Sequence, residues 1–340
     1  MKALLERVLD GADLGESEAA DVLRQLTQPE LSPAVAGAML AALRAKGVVA
    51  AELRGFAGAM RGLARRPQIP PEIGAVDIVG TGGDASGSFN ISTGTALLVA
   101  ACGVPVVKHG NRSISSRSGS ADVLEQLGLP LPLDEAAAGE CLRASGFTFL
   151  FAPYFHPAMK ALAPVRQALG VRTVFNILGP LTNPAAPPYH LIGAYSAGVA
   201  ELMANALAGM PIRRAFVVHG AEGWDEPTPV GPFTLYDVQG GRVMPSVRTP
   251  ADYGLRTCTV EALAGGDAAA NARALRAVLR GDDHGAHRDA LLMGAALALE
   301  LTGAAASPGE GVERASRAIA DGTAARVLDA LAAFGAGLRR

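Results

Sequence analysis

The sequence predicts an α/β fold: a small all-helical N-terminal domain, residues 1–66, followed by a large α/β domain, residues 72–340, with a mainly parallel central sheet. Three observations predict it. Only helical periodicity is found up to Arg66, prolines at 67, 70 and 71 then break the pattern, and from Ala75 short β-branched runs alternate with helical stretches.

In the first segment Leu4, Leu5, Val8 and Leu9 share one helical face, and a second short amphipathic stretch spans residues 16–26. The third helix is punctuated at both ends. Ser32 can accept a bond from a free amide of the first turn, Pro33 suits the first helical position, and Gly47 permits a left-handed turn after Lys46. A fourth helix is expected over residues 51–65. Each proline that follows lacks an amide hydrogen and turns the preceding residue away from helix, which places a domain boundary there. Beyond it, residues 75–79 form a strand ending in Gly80, residues 92–102 a helix and residues 104–107 a second strand. Further strands at 147–151, 191–195 and 215–218 alternate with helical stretches, the pattern of a parallel sheet covered on both faces. Residues 233–238 are expected to add an edge strand, and the Ala-rich tail from Asp267 reads as helices broken at Gly281, Gly303 and Gly322.

A chain of 340 residues with 49% hydrophobic and 18% charged residues has enough apolar surface for a large core, and its net charge of −2 excludes both a disordered chain and a generally basic nucleic-acid binder. The longest apolar run, residues 94–107, is shorter than the roughly 18 residues of a bilayer span, and residues 1–10 mix charges instead of building a signal-peptide core. A soluble cytoplasmic protein with no membrane partner is the expectation. Cys102, Cys141 and Cys258 lack disulfide or zinc spacing and read as buried thiols.

Four segments carry chemistry. Gly80, Thr81, Gly82, Gly83 and Asp84 follow the first strand, and Ser88, Phe89, Asn90, Ile91, Ser92 and Thr93 lead into the helix behind it. Glycines let backbone amides approach a ligand and a helix start adds unpaired N–H groups, so this is a candidate phosphate cradle. It matches neither the Walker loop nor the dinucleotide fingerprint, and a structural turn is an equally good reading of the loop alone. The second strand ends in Lys108, His109, Gly110, Asn111, Arg112, Ser113, Ile114, Ser115, Ser116, Arg117, Ser118, Gly119 and Ser120. In a parallel sheet this loop shares an edge with the first, and its cations and hydroxyls would meet a phosphate-rich ligand; the bland alternative is a solvated basic loop. Asp225 and Glu226, after a later strand, suit Mg²⁺, which takes carboxylates together with substrate phosphates. The fourth segment runs from Arg166 through Arg172 to Pro184, with Gly179, Pro180, Asn176 and Asn183 in its turns. An arginine fork there matches a carboxylate, or a loop carbonyl. His156 and His190 read as packing residues, and His284 and His287 beside Asp282 and Asp283 as solvated charge.

Taken together these segments resemble the anthranilate phosphoribosyltransferases over essentially the whole chain. The resemblance implies a small helical domain, formed by the first helices and a returning segment near residues 160–180, hinged to the large domain, with a homodimer made through the helical domains. It implies that phosphoribosyl pyrophosphate (PRPP) binds Gly80, Gly82, Gly83, Asp84, Ser88, Asn90, Ile91, Ser92, Thr93, Ser120 and the run Lys108, His109, Gly110, Asn111, Arg112, Ser113, Ile114, Ser115 and Ser116. Mg²⁺, one or two ions, would use Ser92, Asp225 and Glu226. Anthranilate would meet Gly80, Asn111 and Arg166, with His109 and Pro180 as walls. The implied reaction is attack of the aromatic amine on C1 of the ribose with loss of pyrophosphate; Lys108, Asn111 and Arg166 would act by charge and positioning, and His109 is a candidate base. Two departures stand out: Ala85 where the family commonly has Gly, and Trp224 where a smaller apolar residue is usual. The rival readings are a pyrimidine nucleoside phosphorylase-like enzyme, which would not need the acidic pair, and a non-catalytic nucleic-acid-binding relative, which would have lost the loops.

Overall fold

Four helices open the chain: α1 (Lys2–Leu9), α2 (Glu16–Leu26), α3 (Pro33–Lys46) and α4 (Ala50–Gly62). The computed structural model describes residues 1–113 and 117–338. Pro33 begins α3 and Gly47 follows it with φ +89°, but Ser32 makes no side-chain cap, contrary to expectation. The cap that organises this bundle belongs to Glu52: buried, it accepts from the amides of Leu14 (2.9 Å) and Val49 (3.0 Å) and pairs with Lys46 at 3.1 Å. A buried carboxylate is tolerable because every lone pair it turns inward is engaged. α4 ends at Gly62, three residues before the expected 65.

The large domain begins with β1 (Val76–Gly80), α5 (Ile91–Ala101) and β2 (Val106–Gly110). Then come α6 (Ser120–Gln126), α7 (Glu135–Ser145), β3 (Phe147–Phe151), α8 (Ala152–Phe155), α9 (Ala163–Leu169) and α10 (Phe175–Leu178). β4 (Tyr189–Gly193), α11 (Ala197–Ala208) and β5 (Arg214–His219) complete the parallel part, and β6 (Phe233–Gln239) and β7 (Arg242–Arg248) form a hairpin. Helices α12 (Ala268–Arg280), α13 (Ala286–Thr302), α14 (Pro308–Ala320) and α15 (Thr323–Leu338) close the chain. The breaks between these four fall at Gly281, Gly303 and Gly322, as the sequence predicts, each with a left-handed φ.

The seven strands lie in the order β3-β2-β1-β4-β5-β6-β7, the first five parallel and the last two antiparallel. β6 is therefore not the edge. The edge is β7, a strand hidden from sequence reading because most of its side chains are exposed and Pro245 interrupts it, as an edge strand allows. β2 begins two residues later than expected, since Gly103 and Val104 turn back onto Ala100 and Val99; this brings Lys108, His109 and Gly110 inside the strand. β4 likewise occupies 189–193 instead of 191–195.

Two cores flank the sheet. One face packs on α5, α7 and α12–α15, with α13 buried along almost its whole length. The other packs on α11 and runs without interruption into the bundle α1–α4, taking in Leu162, Val165, Phe175, Ile177 and Leu181 on the way. The chain leaves β1 to one side for β2 and β3 and returns to its other side at β4, so the carboxyl ends of β1 and β4 border the crevice of a topological switch point.

Candidate active site

The glycine loop and the acidic pair meet at that crevice. At Gly80 a Cβ would lie 2.3 Å from Oδ2 of Asp225, and at Gly193 only 1.6 Å from its carbonyl oxygen, so neither position admits a side chain. The amide of Gly82 donates to Asp225 Oδ2 at 2.5 Å, Asp225 N–H reaches Asp84 at 3.3 Å, and the amide of Ser92, in the first turn of α5, donates to Glu226 at 3.1 Å. Burial, with the charges of Glu226 and Asp84, holds the Asp225 carboxyl well above the ordinary range, and burial lifts Glu226 to about 7 against the pull of Lys108. Among the described residues no three His, Cys, Asp or Glu side chains are drawn close enough to hold a metal by themselves. The donor set still fits Mg²⁺: two carboxylates crowded by a third, Asp84, together with the Ser92 hydroxyl are hard oxygen ligands, and this ion commonly completes its shell with substrate phosphate and water.

Lys108 does not reach out of the sheet. Buried in β2, its Nζ donates to the carbonyl of Ile78 and to Ser92 Oγ, the latter at 3.1 Å, and burial lowers its pKa against the raising influence of Asp77, Glu226 and Asp225. Its amine lies beneath the first turn of α5. Its neighbour His109 is also buried, with burial and His156 lowering its pKa to about 3. The two imidazoles meet edge to face, centroids 5.0 Å apart. A neutral imidazole of that pKa is a weak base, which turns the weight toward the wall role. Asp77, not singled out from the sequence, and Asn183 of the fourth segment complete this layer: buried Asp77 accepts from the amide of His109 at 3.2 Å, and from Asn183, which also donates to the carbonyl of Val107, both at 2.8 Å. Burial raises Asp77 to about 6.

Asn111 stands exposed at the end of β2. Arg112 forms a two-pronged pair with Glu125 (2.6 Å) and a third bond to Asp122 (2.9 Å) on α6, so its guanidinium is engaged by carboxylates here. Asp122 receives the amides of Ser113 and Gly119, folding the loop onto Ser120 at the start of α6. Ile114, Ser115 and Ser116 lie outside the described residues. Asn90 donates to the carbonyl of Ser118 and accepts from Asn271 at 2.8 Å; Ile91 and Thr93 are buried. Residues 263–265 clasp the cradle from behind, Phe89 N–H bonding to Leu263 and Ser88 bridging Ala264. No motif marked that clasp.

On the helical side Arg166, in α9, is partly buried against Phe175 at 5.3 Å and has no ion-pair partner among the described residues. Pro180 is buried in the turn Gly179–Leu181. Arg172 donates to the carbonyl of Gly83 and stacks on Tyr195 at 4.2 Å, while its own carbonyl accepts from Arg44 of α3 at 2.8 Å. His287 leans on Phe89 and on Asp283, and belongs to no metal group among the described residues.

Residues 2–64 match the glycosyl transferase family, helical bundle domain, and residues 72–325 the glycosyl transferase family, a/b domain. The chain is 46% identical over 318 residues to the anthranilate phosphoribosyltransferase of Herpetosiphon aurantiacus, covering 93% of this chain and 94% of that one. With the Methylobacterium nodulans enzyme of the same name it shares 47% over 332 residues, 98% of each. The chain belongs to the anthranilate phosphoribosyltransferase family. Among solved family structures, that from Thermus thermophilus superimposes with a TM-score of 0.91 at 42% identity, covering 97% of this chain and 98% of the other. The Saccharomyces cerevisiae enzyme in complex with PRPP and Mg gives 0.88 at 27% identity, 99% of each chain. Both departures from the family's usual pattern have a place in this fold. Ala85 carries a φ of +59°, where glycine would be unstrained, and Trp224 is buried in the core behind the acidic pair.

Proposed function

We infer that the protein transfers the phosphoribosyl group of PRPP to the amine of anthranilate, releasing pyrophosphate in a Mg²⁺-dependent reaction. The observation that carries this reading is the meeting of the glycine loop, the first turn of α5 and the Asp225–Glu226 pair at one switch point, with Arg166 on the helical side lacking an ion-pair partner among the described residues. The nitrogen–C1 bond forms as the bond from C1 to the diphosphate oxygen breaks, and the proton of the resulting aryl ammonium passes to water or to the substrate's own carboxylate.

Amides of residues 82–84 and of α5 cradle the phosphates, with Ser88, Asn90 and the 110–120 loop around them. Ser92, Asp225 and Glu226 would hold Mg²⁺, which when bound would supply positive charge for the diphosphate leaving group. Lys108 adds positive charge from below and keeps Ser92 in place. Arg166 takes the anthranilate carboxylate and Asn111 orients its ring, between walls of His109, Pro180 and Gly80, so that the amine is aimed at C1. Arg112 reaches the donor by exchanging its carboxylate partners for phosphate.

We assign residues 1–66, with the returning segment near 160–180, to a domain that hinges on residues 72–340, and a homodimer to the helical side, where Leu9 and Val171 are exposed apolar residues at 65% and 49%. No described helix is long and apolar enough to cross a membrane, in keeping with a cytoplasmic location. The test is anthranilate fluorescence on mixing with PRPP. Loss that requires Mg²⁺ and releases pyrophosphate is expected; PRPP binding without loss would assign another acceptor.

A further inference from the structure

At the opposite edge of the sheet, where β1, β4 and β5 begin, a cavity of about 570 Å³ opens between α4 and the connections leading into those strands. That volume lies within the range of small-molecule sites, and none of its walls belongs to the loops at the carboxyl edge. One wall carries Arg54, Arg61 and Arg66; the other is apolar, with Ile69, Pro184 and Pro211. Glu16 is the single acid of the lining, and Arg54 already pairs with it at 2.8 Å.

Arg61 has no such partner. Its Nε donates to the carbonyl of Leu181 at 2.9 Å, one amino group meets the sulfur of Met210 at 3.7 Å, and no carboxylate among the described residues pairs with it. Burial alone lowers this guanidinium to about 10, with nothing opposing. Arg66, exposed at the mouth, is equally without an ion pair among the described residues. A charge partly withdrawn from water is costly unless an anion shares its surroundings, and here the space for one is present. We propose that this cavity is a second ligand site, taking an organic anion whose carboxylate or phosphate is held by Arg61 and Arg66 and whose apolar body lies on Ile69, Pro184 and Pro211. The fork of a guanidinium matches either head group.

Calorimetric titration of the full chain with 1-naphthyl phosphate and, separately, 1-naphthoate tests this, with PRPP and Mg²⁺ saturating so that the donor site is filled. Saturable one-site binding of at least one probe is expected, weakened about tenfold in Arg61→Gln and roughly threefold in Arg66→Gln. The tighter probe tells a phosphate ligand from a carboxylate. Arg66→Gln removes an exposed side chain that pairs with no carboxylate among the described residues, so it decides the matter should Arg61→Gln, which also frees the Leu181 carbonyl, fail to fold. Equal affinity in the wild type and both variants, or no binding of either probe below about 1 mM, overturns the proposal.

Discussion

The backbone amide of Gly82 donates to the carboxylate of Asp225 at 2.5 Å, across 143 positions of sequence. The glycine loop and the acidic pair are thus bonded directly to each other, and on the proposed reading the carboxylate would exchange this amide for the metal. The Asp225→Asn variant removes the charge while keeping the shape. Its half-saturating Mg²⁺ concentration, read from initial rates at saturating PRPP, is expected to rise about tenfold or more, as for loss of about 1.4 kcal/mol of metal binding. An unaltered metal titration would remove Asp225 from the metal site.

Arg166 is expected to hold the acceptor and leave the donor alone. A hydrogen bond to a charged group contributes about 1.5–3 kcal/mol, so Arg166→Gln should raise the anthranilate KM by roughly 10- to 100-fold with the PRPP KM unchanged. Equal changes in both constants would instead point to a general disturbance of the hinge.

Ala85 occupies a left-handed backbone conformation, φ +59°, at an exposed position of the glycine loop. Such a conformation costs a side-chain-bearing residue about 1–2 kcal/mol, partly offset by the greater chain entropy glycine loses on folding. Ala85→Gly should therefore stabilise the fold by about 0.5–1 kcal/mol, seen as a higher urea midpoint at constant slope. A lower midpoint would mean that the φ is not a source of strain.

The fourth prediction concerns acid. His190 is buried in β4, and burial, helped by Arg61, lowers its pKa to about 3 from an ordinary value near 6.5. Between those values the unfolded chain binds a proton that the native chain refuses, so stability is retained above about pH 6.5 and lost as pH falls toward 3. Each such histidine contributes a slope of about 1.4 kcal/mol per pH unit in the window. Asp77, raised to about 6, acts with the opposite sign, so the wild-type profile mixes both. Comparing His190→Leu with the wild type isolates the histidine: the difference in unfolding free energy should change by about 1.4 kcal/mol per pH unit between roughly pH 6 and 4. Parallel profiles would show that His190 titrates normally in the folded chain.

What could be read from the sequence was local. Gly80 to Asp84 followed by a helix start declares a cradle because backbone conformation and helix ends are decided within a few residues. The prolines at 67, 70 and 71 mark the boundary for the same reason. Partners chosen across the fold were not legible. That Arg112 would be held by Asp122 and Glu125 of α6, and that the strand register would turn the Lys108 amine inward to Ile78 and Ser92, could not be read from the loop that contains them. Asp77 and the clasp at residues 263–265 carry no motif, because Asp77 meets Asn183 106 positions away and the clasp holds a loop from outside it. β7 was missed for a different reason: a solvent-washed edge strand needs no apolar alternation.

The chain of contacts from Arg44 to the Arg172 carbonyl, and from the Arg172 guanidinium to Gly83, has a mechanical meaning. It is a strut between the helical bundle and the donor loop, anchored at its middle by Tyr195. Displacing the bundle relative to the sheet would strain or break the Arg44–Arg172 or Arg172–Gly83 bond. On the hinge and ligand roles proposed above, this strut would couple filling of the donor loop to the placement of the helical side that carries Arg166.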